Sequence, residues 1–217
     1  MRTVTELYQE YRTPPWLQEH QLRVAAVGKM VAALHENIDR DAIIVSCLLH
    51  DIGAIVKFDF SNTDQLRYLH PKTEIAHWRA VQADFHAKYG DKEHPATDAI
   101  LKEIGVRKEV QDIVHNTGFD NMSRIIKEGY LSAEIVQYAD MRVAPDGITS
   151  LFDRLTDVRN RYAERLKVAG RYEQFEENFT NADIIERKLF AGKDLLPGDI
   201  SDETAAPLIE ELRAYSI

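Results

Sequence analysis

Asp39-Arg40-Asp41-Ala42-Ile43-Ile44-Val45-Ser46-Cys47-Leu48-Leu49-His50-Asp51-Ile52-Gly53 is the stretch that decides the fold. From Ala42 to Leu49 the side chains are apolar nearly all round. A helix of that kind has no face to offer water, so other elements must surround it. Its start falls near Asp39 or Asp41, and it runs into His50-Asp51-Ile52-Gly53. An Asp beside a His at the end of the most apolar segment is expensive unless a partner satisfies both.

Working outward, the hydrophobic period is helical throughout, with no series of alternating strands and no internal repeat. The preceding helix is expected to start after Pro14-Pro15 and to run to about Glu36. Its stripe is Val24, Val27, Val31 and Leu34, with His20 at the head. Residues from Asp59 to Lys92 read as a more polar excursion, with Glu74 to Tyr89 as its best helix. Glu93-His94-Pro95-Ala96-Thr97 then opens a helix with His94 expected at the N-cap and a stop at Gly105. Arg107 to His115 is the next. A helix from Ser132 carries Val136, Ala139, Asp140 and Val143, a spacing that puts Asp140 on the inward stripe. Long amphipathic helices follow, marked by Leu151, Leu155, Val158, Tyr162 and Leu166 and then Phe175, Phe179, Ile184, Ile185 and Leu189, before a short last helix from about Glu203 to Tyr215. The expectation is one all-α domain, with a core over about 17–145 and a C-terminal helical extension over about 149–217.

Composition narrows the function. With 217 residues there is length enough for a sizeable core. A net charge of −9 disfavours a nucleic-acid polymer as partner. It leaves room for a small anion, because a bound metal and a few local cations reverse the field in one cleft. The one cysteine, Cys47, reads as a small buried hydrophobe. Met1 to Glu10 does not read as a secretory signal and no run is long enough to span a membrane, so the cytoplasm is the expected location.

His20, the His50-Asp51 pair and Asp140 all stand on or beside apolar helix faces. Taken singly, a buried His is usually hydrogen-bonded core, and a buried Asp a cap or ion-pair partner. As a set, two imidazoles and two carboxylates satisfy one another through a shared divalent cation, and mixed N/O ligation suits Fe, Mn, Co, Ni or Zn better than Ca. At this point the chain resembles the HD-domain superfamily, whose signature is a His on one helix, an adjacent His-Asp on a later one and a distant Asp. The resemblance implies an all-α helical bundle, here with additional C-terminal helices. His94 and His115 further match a six-ligand subset. That implies a dinuclear site: His20, His50, Asp51 and Asp140 around one ion, and His94, His115 and a bridging Asp51 around the second. A single ion, with the two further histidines holding phosphate, is the intermediate case.

The activity implied is hydrolysis of a small phosphorylated molecule, a nucleotide above all, by water activated on one or two divalent transition metal ions. Glu19, Asp98 and Asp112 are candidates to orient the ligating histidines. Arg23 and Lys57 are the candidate phosphate cations beside Asp51 and His50, with Arg142 a weaker one. Many relatives carry Lys directly after His-Asp-x-Gly, where this chain has Ala54; Lys57 can compensate, or the contact is lost. His115-Asn116-Thr117-Gly118, Asn121-Met122-Ser123, Ala139-Asp140 and Pro145 are similar to segments of bacterial HD-domain diadenosine tetraphosphate hydrolases, which makes a dinucleoside polyphosphate a narrower option. Two other readings stay open: a mixed-valent diiron oxygenase using the same six ligands, and a non-catalytic module with a structural metal. Among the remaining histidines, His35, His70, His77 and His86 read as surface or excursion residues, with His70 and His77 the nearer to any cleft. The oligomeric state is left open, a homodimer among the options.

Overall fold

A computed structural model describes residues 1–62, 69 and 74–217 of the chain. Helix α1 (Val4–Glu10) is closed by a capping box in which Thr3 and Glu6 satisfy each other's backbone N–H groups. Helix α2 (Pro15–Ala33) starts with proline at its first position, where the missing N–H costs nothing. It ends three residues short of Glu36, because the chain turns at Asn37 in a left-handed conformation, φ 57°. Helix α3 (Arg40–Leu49) is capped by Asp39, whose carboxylate accepts the Ala42 N–H at 2.9 Å.

Every residue of α3 from Ala42 to Leu49 is buried, and the most extensive helix pairing in the molecule joins α3 to α2. Gly28 makes that approach possible: a Cβ there would lie 2.6 Å from the Cys47 sulfur. A 3₁₀ turn, Ala54–Lys57, follows the His-Asp pair. Then come α4 (Ile75–Tyr89), α5 (Glu93–Ile104), α6 (Lys108–Asn116), α7 (Met122–Glu128) and α8 (Leu131–Met141). Gly105, at φ 81°, ends α5 in the left-handed cap that glycine adopts without strain. Helices α2, α6 and α8 pack around α3. Full burial of Leu48, Leu49 or Ile43, each 0% exposed, contributes about 1.5–3 kcal/mol per side chain.

After α8 comes an antiparallel hairpin of two-residue strands, β1 (Val143–Ala144) and β2 (Gly147–Ile148). Apart from an isolated bridge between Thr3 and Ser216, it is the only strand pairing among the described residues, and it arises where Pro145 and Gly147 break the pattern. The extension forms α9 (Leu151–Val168), α10 (Tyr172–Phe190) and α11 (Asp202–Arg213). Helix α11 lies on α2 and α10 on α7 and α8. The chain ends also meet: Arg2 N–H donates to Ile217 O at 3.1 Å and Ile217 N–H to Arg2 O at 2.8 Å.

Candidate metal centre

His50 is the residue that caps α3, and it is almost wholly buried. Its Nδ1 lies 2.9 Å from the Cys47 carbonyl. A carbonyl can only accept, so Nδ1 keeps a proton, and in the neutral ring it is Nε2 that carries the lone pair. That Nε2 is buried and has no hydrogen-bond partner. Its nearest polar neighbours are Asp140 Oδ1 at 3.5 Å and Asp51 Oδ1 at 3.8 Å. Asp51 is held from behind, its N–H donating to the Gln21 side-chain oxygen at 3.2 Å.

Helix α2 brings His20 to the same point, and α8 brings Asp140. His20 Nε2 lies 3.1 Å from Asp140 Oδ1 and 3.9 Å from Asp51 Oδ2. The ligand atoms of His20, His50 and Asp140 all fall within 4.8 Å of one another. Bonds of about 2.0–2.2 Å to one divalent ion place neighbouring ligand atoms about 3–3.5 Å apart, so this group needs little movement to close on a cation. The orphaned His50 lone pair, in a ring of N and O donors, fits a divalent transition metal.

The electrostatics agree. Burial disfavours a charged His50, yet the Asp51 and Asp140 carboxylates outweigh it and push its pKa up to about 9. Burial would raise the pKa of Asp140, but the hydrogen bond from His20 and the charge of the two neighbouring imidazoles hold it well below the usual carboxylate range. Asp51 is also lowered: burial works against its charge, and Lys57 and His50 favour it. Two carboxylates at one buried point call for positive charge, which a metal ion supplies without protonating the ligands.

A cleft opens on this group in two lobes. The first, about 320 Å³, is lined by His50, Asp51, Asp140, Lys57, Glu93, His94 and the 117–121 loop. The second, about 300 Å³, runs past His20, Asp51, Asp140 and Lys57 toward Trp16, Arg23, Phe58, Arg154 and Arg161. Lys57 therefore lines both lobes. It is paired with Glu93, and its ammonium is favoured by the Asp51 and Glu93 carboxylates. Burial and the Asp51 charge raise Glu93 to about 7, against the pull of Lys57. Arg23 lines only the second lobe, with Nε 3.3 Å from Asp202. His94, expected at the N-cap, lies in the first turn of α5, two positions past the residue that occupies the cap, Lys92. It is exposed, faces the first lobe and stands beside Gly118. His115 ends α6 with its side chain 67% exposed and Nδ1 3.0 Å from Asp98 Oδ2. It is not among the residues that line these two lobes. Of the candidate orienting acids, Asp98 alone meets a ligand candidate, since Glu19 pairs with Arg213 and Asp112 with Lys108.

Arg142 is neither a phosphate cation nor a surface charge. It is 2% exposed and donates to backbone carbonyls of the extension. His77 meets Trp78 edge to face, and His86 Nε2 meets the Val56 carbonyl at 2.9 Å. His35 is half-buried, and His70 lies outside the described residues. Sequence reasoning missed Trp16, Glu93, Arg154 and Arg161. The signal for Trp16 was present, because positions 16, 20 and 23 share one helix face.

Fold and site together define an all-helical protein with a His/Asp cation group at its centre. The chain belongs to the HD-domain family, whose profile matches residues 17–156. Members of that family bind divalent metals and are in general phosphohydrolases. No curated protein and no solved structure matches the chain.

Proposed function

We propose that this protein hydrolyses a phosphate ester or anhydride of a small molecule, a nucleotide above all, at a metal centre held by His20, His50, Asp51 and Asp140. The observation that carries the reading is the buried, partnerless Nε2 of His50, whose other ring nitrogen is locked by the Cys47 carbonyl. That is the arrangement by which a protein presents an imidazole lone pair to a cation. A divalent ion bound there lowers the pKa of water and offsets phosphate charge.

The chain's own groups do the rest. Lys57, protonated beside Asp51 and Glu93, reaches both lobes and receives the phosphoryl oxygens. It takes over the part that Lys after His-Asp-x-Gly plays in relatives, since Ala54 is buried. Arg23 adds charge at the second lobe. His94 and His115 are assigned to a second ion, with Asp51 bridging. Asp98 supports this by holding the Nδ1 side of His115, which leaves Nε2 to ligate.

The test is metal analysis of the purified protein, followed by a phosphate-release screen over nucleotides, dinucleoside polyphosphates included, with Mn, Fe(II), Co and Ni. His50→Ala and Asp51→Ala are each expected to abolish bound metal and turnover together. Full activity in either variant rejects the site. Tightly held iron with oxygen uptake and no phosphate release rejects the hydrolase reading in favour of an oxygenase.

A further inference from the structure

The second lobe contains more cationic and aromatic surface than the metal chemistry uses. Arg154 and Arg161 come from α9, two turns apart and therefore on one face of that helix. Both line the lobe. Their side chains are only 20% and 21% exposed, whereas arginines are mostly solvated. Asp157 lies between them on the same helix, 3.5 Å from Arg154 and 2.5 Å from Arg161, and steadies both guanidinium groups. The family match ends at residue 156, so Arg161 belongs to the extension alone.

Aromatic rings line the same lobe. The Trp16 and Phe58 rings are 5.5 Å apart, and both are only partly buried. Phe60 and Trp78 pack against Trp16 at 6.4 and 5.3 Å and fix its orientation. The lining of the lobe thus offers both flat aromatic faces and guanidinium forks. Among the described residues, the acids lining the lobe are Asp51 and Asp140, which both belong to the candidate metal group. A volume of about 300 Å³ is at the small end of ligand sites and suits one nucleoside with its near phosphates.

We propose that this lobe binds the part of a nucleotide remote from the scissile phosphorus, with the base against Trp16 and Phe58 and the non-reacting phosphates on Arg154 and Arg161. The C-terminal extension is then a specificity element for a nucleoside polyphosphate. Its role toward a substrate rests on the phosphohydrolase reading above. Guanidinium forks favour phosphate oxygens in pairs. Base stacking on an aromatic side chain adds affinity that an inorganic polyphosphate cannot gain.

The experiment is calorimetric titration of the metal-loaded full chain with ATP, inorganic tripolyphosphate and adenosine, alongside the turnover screen. ATP is expected to bind at least about tenfold tighter than tripolyphosphate, because it alone engages both the rings and the guanidinium groups. The Arg154→Ala, Arg161→Ala double variant is expected to weaken ATP about 30-fold or more while retaining its bound metal. Arg154→Lys, Arg161→Lys is expected to recover part of that loss. Trp16→Leu covers the case in which the double variant does not fold: it is expected to weaken ATP about tenfold and leave tripolyphosphate affinity unchanged. Unchanged ATP affinity in the folded double variant, or in Trp16→Leu, overturns the proposal. Equal affinity of wild type for ATP and tripolyphosphate overturns it too. Nucleotide binding of the expected pattern without phosphate release under any metal leaves the lobe standing and removes the hydrolase reading. Turnover with unaltered KM in the double variant does the reverse.

Discussion

Arg142→Ala is expected to unfold the junction between the metal centre and the C-terminal helices. The guanidinium is 2% exposed and makes four hydrogen bonds: Nε to Thr149 O and Nη1 to Tyr138 Oη, both at 2.5 Å, and Nη2 to Pro197 O and Ile200 O, both at 3.1 Å. Tyr138 passes the charge on to Glu186 at 2.9 Å. Truncation strands these acceptors in the interior, and each buried group left unsatisfied costs about 1–3 kcal/mol. Water entering the vacated space recovers part of that. The net loss is expected to be on the order of 3–5 kcal/mol, comparable to breaking a buried ion pair. Set against a usual domain stability of about 5–15 kcal/mol, the loss is large. Urea unfolding followed by circular dichroism reads it directly, and Tm is expected to fall by roughly 10 °C or more. Arg142→Lys is expected to recover less than half, because one ammonium cannot serve acceptors spread over three segments. A loss below about 1 kcal/mol would refute this account of the junction. Native stability with a raised KM would return Arg142 to the role of a phosphate cation.

Gly53→Ala is expected to cost about 1–3 kcal/mol in the same unfolding assay by overpacking, because a Cβ there would stand 2.7 Å from Thr97 N and 3.0 Å from Ala96 C, backbone atoms with no room to yield. Stability within experimental error of wild type would show that the turn after His50-Asp51 need not approach α5 so closely. Asp98→Asn is expected to weaken the second ion proposed at His94 and His115 by about 10–100-fold in a chelator competition, because His115 loses the carboxylate on its Nδ1. Equal weakening of both ions, or of neither, argues against His115 as a ligand of a separate second ion.

The central helix was legible because burial on all sides is written into Ala42 to Leu49. The four polar residues at the centre were legible because each interrupts an apolar face, and a set of such interruptions has one economical solution. Helix α1 was overlooked although Thr3-Val4-Thr5-Glu6 carries the capping-box pattern. Arg142 was misread for a different reason. Nothing in local periodicity marks a cation that turns inward, and the carbonyls that satisfy it arrive from residues 149, 197 and 200, across a hairpin and two helices. Arg154 and Arg161 were hidden in the same way. The stripe of α9 tells which side is greasy, but not that the flank beside it faces a cleft. Residues 63–68 and 70–73 of the polar excursion lie outside this comparison, and with them His70.

These hidden residues tie the site to the extension. Asp140 is two positions from Arg142, and Arg142 and Thr149 exchange hydrogen bonds, Thr149 N–H to Arg142 O at 2.8 Å and Arg142 Nε to Thr149 O. Ser150 then caps the start of α9 by accepting the Asp153 N–H at 3.0 Å, one residue before Arg154. One short run of bonded backbone therefore leads from a cation ligand candidate to the arginines of the second lobe. The same guanidinium reaches forward to Pro197 and Ile200, just before α11, while Arg23 on α2 meets Asp202 at the start of that helix. A chain cut after the hairpin would lose acceptors that Arg142 requires and leave a buried charge two residues from Asp140. The extension thus supplies the acceptors that a buried cation of the core requires.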